Sequence, residues 1–235
     1  MLRAQTRAEL VLTLRNGEQV LLSVVIPLVL LALLSLEPIV SVPGPRVDFF
    51  VPGVLALAVM SSAFTGQAIA TGFDREYGVL KRLGATPLPR SVLLLAKTLS
   101  VLAVELLQLL LIGALGLALG WHPRAGVLGL VAVLVLGTAA FSGLGLLLGG
   151  TLRGLTSLAI ANLLWFALLL AGGIVFPLTS YGGGTGVLEL LPSAALSDGL
   201  RQLLQHAHLV WRDVAVLATW AVAALTVAAR AFRWD

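Results

Sequence analysis

The sequence predicts an all-α, polytopic membrane protein with six transmembrane helices, and three observations carry that reading. Of 235 residues, 59% are hydrophobic and only 11% charged, against about 25% charged in an ordinary soluble domain. A single water-soluble core cannot hide so much apolar surface while exposing so few charges. The apolar residues gather into runs that can cross about 30 Å of hydrocarbon, which takes about 20 helical residues. Those runs are continuous, unlike the alternating strands of about ten residues in a membrane barrel. The chain has no cysteine, which excludes disulfides, cysteine-ligated metals and thiol catalysis.

Residues 1–18 form a leader. It reads either as an interfacial helix or as a solvated segment, because Arg3 and Arg7 share a face with Leu10 and Leu14. With Glu9 and Glu18 ahead of the first apolar run, it is too long and too acidic for the start of a cleaved signal. The spans are expected at about 20–36, 49–70, 92–119, 127–148, 155–176 and 209–229, in one transmembrane domain. The third is longer than the bilayer core at about 1.5 Å per residue, so its first turns are expected at headgroup level. Pro27 and Pro177 are positioned to kink or end helices. Gly116 and Gly120, and Gly145 and Gly149 with Gly137 two steps before, make small-xxx-small pairs suited to close helix approach. Trp121, Trp211 and Trp234 fall near span ends, as interfacial anchors do, while Trp165 and Trp220 fall inside spans.

Basic residues near span ends stay in the cytoplasm. With both termini on one side, that side holds Arg3, Arg7, Arg15, Arg75, Lys81, Arg82, Arg90, Lys97, Arg153, Arg230 and Arg233, against Arg46, Arg124, Arg201 and Arg212 on the other. The expectation is cytoplasmic termini and an external segment at 177–208. The net charge of +4 is then a topology signal, and no nucleic-acid partner is expected.

The densest charge cluster lies between the second and third spans, at 73–90. Phe73, Tyr77 and Leu80 fall at i, i+4 and i+7, Arg75 and Arg82 fall opposite, and Gly84 with Pro87 and Pro89 supplies a stop. The pattern predicts a short helix along the membrane, with Ser91 as cap of the next span. Charge alone is equally consistent with simple anchoring of two spans.

The run Arg75-Glu76-Tyr77-Gly78-Val79-Leu80-Lys81-Arg82-Leu83-Gly84-Ala85-Thr86-Pro87-Leu88-Pro89-Arg90 resembles the cytoplasmic loop of type-2 ABC exporter permeases, especially their drug-resistance branch. In outline the resemblance extends to the leader, the six spans, and the external Leu191-Pro192-Ser193 stretch leading to Asp198-Gly199-Leu200-Arg201. It implies a plasma-membrane subunit that dimerises with an identical or different permease and couples to two ABC ATPase subunits. The loop is then a coupling helix, with Arg75, Glu76, Lys81 and Arg82 as polar contacts and Tyr77 and Leu80 as apolar ones. The implied activity is alternating-access export of a small amphipathic, drug-like or lipid-like substrate.

Energy must then come from a partner that binds ATP and Mg, with no cofactor and no enzyme activity in this chain. Its two lysines, Lys81 and Lys97, do not complete a G-x-x-x-x-G-K-[ST] loop, and the glycine-rich stretch at 181–186 lacks that lysine. The alternative is an ATP-independent secondary transporter or channel, which calls for inverted repeats or broken helices. A membrane enzyme would need convergent acid, base or metal ligands. A membrane anchor using the same loop to bind an ATPase is a further reading.

With the last span counted from about Val214, Glu105 is the only acid in a predicted span, where a charge at the bilayer centre costs roughly 2.5 to 3.5 kcal/mol. With Gln108 on its face, and with Gln67 and Asn162, it forms the candidate substrate pathway. A helix-packing polar contact is the leading other reading of Glu105, and an acid reaching towards cytoplasmic water or Lys97 is a third. Ser61, Ser62 and Thr65 are of the type that hydrogen-bond between helices. His122, His206 and His208 fall outside the spans in a spacing unsuited to a helical metal pair, so no metal site is expected.

Overall fold

The computed structural model describes residues 1–15, 17–42, 44–124, 127–178 and 185–232, without the side chains of 18–20, 22, 127 and 185. Every regular element among them is helical, because in lipid only a helix satisfies its own backbone polar groups within one segment. The helices are α1 (Leu2–Arg15), α2 (Gly17–Leu36), α3 (Arg46–Val59), α4 (Gln67–Glu76), α5 (Val79–Gly84), α6 (Arg90–Ala118), α7 (Val127–Thr151), α8 (Gly154–Ala171), α9 (Thr185–Leu188), α10 (Pro192–His206) and α11 (Trp211–Ala231). A π-helical stretch, Met60–Gly66, joins α3 to α4 into one continuous helix, Arg46–Glu76. Among the described residues, five helices are long and apolar enough to cross a membrane: Arg46–Glu76, α6, α7, α8 and α11. The remaining expected span corresponds to α2 (Gly17–Leu36), whose apolar stretch among the described side chains is Ser23–Leu36.

The helix Arg46–Glu76 runs through the middle of the bundle and is its most buried span. Its Phe50, Val51, Val54 and Phe64 join Phe141 of α7, Leu196 and Leu200 of α10 and Leu217 of α11 in the main core. The glycines of α7 set the spacing. A Cβ on Gly145 would lie 2.6 Å from the Phe64 carbonyl, and one on Gly149 would lie 2.6 Å from that of Ala68. Gly137 makes room for Leu196 in the same way. Gly120 does not serve helix approach. At φ +89° it ends α6, with Trp121 N–H donating to the Gly116 carbonyl (2.9 Å) and Gly120 N–H to that of Leu117 (3.1 Å).

Four sequence expectations change here. α8 ends at Ala171, five residues before the expected 176, at a turn through Gly172 and Gly173 (φ +67°). Pro177 therefore follows the helix rather than ending it. Within the segment at 177–208, α10 is almost wholly buried against α3, α7 and α11. Trp121 is not an interfacial anchor; it is buried over Gly116. Ser91 makes no cap, since α6 begins at Arg90 behind Pro89 with no capping side chain. Trp211 is exposed as expected; Trp234, Arg233 and the glycines at 182–184 lie outside the described residues.

Two arginines counted in the topology argument serve as helix caps. Arg46 donates to the carbonyls of Leu34 (2.6 Å), Val40 (2.8 Å) and Glu37 at the end of α2. Arg201, buried on α10, donates to Gly173 (2.7 Å) and Ile174 (3.2 Å) and lies 3.9 Å over the Phe49 ring. Burial lowers the Arg201 guanidinium to about 10, with Asp198 acting in the opposite sense, so it stays charged at neutral pH.

Candidate functional site

The segment at 73–90 departs from the expected single helix. α4 continues through Glu76, Tyr77 caps it, and Gly78 takes the left-handed conformation (φ +70°) before α5 begins. A non-glycine residue is strained there, which is why the i, i+4, i+7 face breaks at this point. Phe73 and Tyr77 still stack, with ring centroids 5.8 Å apart. Leu80 turns inward and is fully buried with Leu93 and Leu94 of α6, Leu146 of α7, and Ala228 and Phe232 at the end of α11. The expectation that Leu80 offers an outward apolar contact is therefore corrected. Arg75 is half-buried and donates to the Gly150 carbonyl at the end of α7 (2.9 Å). Glu76, Tyr77, Lys81 and Arg82 project outward, so four of the six expected contact residues form an exposed face, while Arg75 and Leu80 tie that face to the bundle.

Above this face stands a buried ion cluster. Lys97 on α6 pairs with Glu9 of α1 (3.0 Å) and Asp74 of α4 (2.9 Å). Glu9 is buried against α6 while Arg3 and Arg7 remain exposed. This explains why the hydropathy of α1 alone shows so weak an apolar face: the residue it buries is an acid. Glu9 and Asp74 were not singled out from the sequence, although a lysine inside an apolar run demands acidic partners. The Lys97 ammonium is committed to them, so Glu105 does not reach it.

The ion cluster closes one end of a cavity of about 550 Å³ between α1, α2, α4, α6 and α8. A π-helical turn holds extra backbone per turn and is commonly found at functional sites; here it carries Ser61, Ser62, Thr65 and Gly66 into the lining, with Gln67 and Thr71 following on α4. Trp165 donates to Ser61 (3.1 Å), and Gln67 Nε2 donates to Ser142 (2.8 Å). Three lining atoms are buried with no hydrogen-bond partner among the described residues: Thr65 Oγ1, Gln67 Oε1 and Thr71 Oγ1. Buried polar atoms are ordinarily satisfied, so this wall has unused capacity for a ligand's donors and acceptors.

The four candidate pathway residues separate into two groups. Gln67 and Asn162 line this cavity, whereas Glu105 and Gln108 line a smaller cleft of about 120 Å³ between α3, α6 and α7. Gln108 does not bond to Glu105; it accepts from Ser62 (3.2 Å) and donates to the Ser23 carbonyl (2.8 Å). Glu105 instead receives a hydrogen bond from Thr138 of α7. The larger cavity joins apolar walls to hydroxyl and amide groups, an arrangement suited to holding an amphipathic molecule.

These features define a multi-pass helical membrane protein with an amphipathic cavity between its helices. The chain belongs to the ABC-2 type transporter family, whose model matches residues 2–204. It is 24% identical over 226 residues, 94% of this chain and 92% of the relative, to "Putative transport permease YvfS" of Bacillus subtilis (strain 168). It is a membrane subunit of an ABC transporter, and membership of that family implies association with ABC ATPase subunits.

Proposed function

We propose that this permease exports a small amphipathic, drug-like or lipid-like substrate from the cytoplasm by alternating access, as a dimer driven by two ATPase subunits that bind ATP and Mg. The observation that carries the reading is the mechanical placement of segment 73–90. Its exposed residues Glu76, Tyr77, Lys81 and Arg82 are free to meet a partner, while Leu80 is buried among α6, α7 and α11 and Asp74 reaches the cavity through Lys97. A force applied to this face therefore acts on the spans and on the cavity at once. The unpartnered Thr65, Gln67 and Thr71 atoms favour a cargo with hydroxyl, amide or amine groups attached to an apolar body.

The test is to reconstitute the permease with the ATPase that co-purifies with it, in proteoliposomes, and to compare wild type with Tyr77→Ala/Arg82→Glu. The double variant should lose ATPase retention and ATP-dependent transport while eluting from size exclusion unchanged. Transport that continues without ATP, or an ATPase bound equally by both forms, overturns the reading and makes a secondary transporter the better description.

A further inference from the structure

The cleft at Glu105 is separate from the larger cavity and chemically unlike it. Its floor includes the buried Leu55 of α3, and Leu106, Val131 and Val135 at its mouth are 57%, 46% and 43% exposed. Because these three face outward from α6 and α7, the cleft opens towards lipid. Glu105 stands about 12 Å along α6 from Lys97 at about 1.5 Å per residue, well past the ion cluster. Its side chain is buried, and Oε1 has no hydrogen-bond partner among the described residues. Oε2 has only the Thr138 hydroxyl, whose single proton is shared with the Leu134 carbonyl (2.8 Å). A carboxylate offers about four acceptor positions, so Glu105 is under-satisfied in a wall that is apolar apart from itself and Gln108.

We propose that this cleft binds the head of a hydrophobic primary amine dissolved in the bilayer and reached laterally between α6 and α7. A cation offsets the cost of a carboxylate in hydrocarbon. N–H donors fill the vacant acceptor positions of Glu105, with the Gln108 side chain at the same wall. A cleft of about 120 Å³ takes an ammonium with its first few carbons and leaves the tail among lipid chains. A single carboxylate does not supply the ligand set of a metal ion. The site belongs to this chain alone and does not depend on the exporter reading.

The experiment measures equilibrium binding of radiolabelled dodecylamine to the full-length chain in phosphatidylcholine nanodiscs, with dodecanol as the uncharged control. Wild type should bind dodecylamine saturably, and dodecanol should not displace it. Glu105→Gln should weaken binding about tenfold or more, the scale of one charge-assisted hydrogen bond. Val135→Phe narrows the mouth without touching the carboxylate and should weaken binding comparably. Both variants should elute as wild type. Displacement by added phosphatidylethanolamine supports the site and identifies the bilayer's own amine as occupant; lack of displacement supports it with a non-lipid amine as occupant. Equal binding to wild type and Glu105→Gln, or no saturable binding to wild type, overturns the proposal.

Discussion

Lys97 joins three parts of the chain that are far apart in sequence: α1 through Glu9, α4 through Asp74, and α6 itself. Removing one member of a buried ion cluster strands the others, which typically costs about 3–5 kcal/mol. Lys97→Ala is therefore expected to lower stability by an amount of that order in detergent, read from chemical or thermal unfolding. Adding Glu9→Gln and Asp74→Asn should recover much of the loss, since neutral amides carry no unpaired charge. In the sequence the lysine reads as a cytoplasmic charge near the start of a span. Its partners were not visible there, because residues 9, 74 and 97 meet only when three helices pack. Glu105 is a parallel case: Gln108 is its natural neighbour on one helix, but Thr138 on α7 is its actual one.

At the scale of elements, segment 73–90 was legible as a charged helical excursion but not as two helices with a break. Gly78 was in view, yet a lone glycine in a helical pattern is often tolerated; its left-handed φ follows from the need to bring Leu80 under α6 and α7. Leu80→Ala should destabilise the protein by about 2–5 kcal/mol, as expected for a leucine deleted from a buried cluster. Gly78→Ala should cost about 1 kcal/mol, because a Cβ is disfavoured at φ > 0 although the space around it is open. Tyr77→Ala should leave stability close to wild type, since that ring is 69% exposed. Unfolding measurements on the three variants rank these effects, and Tyr77→Ala falling as far as Leu80→Ala would refute the inward and outward assignment. The π-helical stretch Met60–Gly66 was likewise not readable. Ser61, Ser62 and Thr65 announce polarity inside a span, but the extra residue per turn is seen only where α7 packs Gly145 against the Ala63 and Phe64 carbonyls.

For the whole molecule, sidedness is the property on which the functional proposal turns, and the natural absence of cysteine makes it directly measurable. A single cysteine at Lys81 should react with an impermeant maleimide only after cells are opened. One at Val187, on α9, should react in intact cells. The opposite pattern would invert the topology and place segment 73–90 where no cytoplasmic ATPase can reach it.

Composition and hydropathy were enough to establish a helical, multi-pass protein, because lipid leaves a long apolar segment few ways to satisfy its backbone. The local motif at 75–90 was enough to indicate the family, since its residues are contiguous. Packing alone decided which polar side chains meet, that α10 is a buried helix, that Leu80 is an inward anchor, and that the four candidate pathway residues line two separate cavities. The physical reason is common to all of these. Each depends on contacts between residues distant in sequence, set by how closely glycine-bearing helices approach and by where buried charges find partners, and a one-dimensional pattern carries neither.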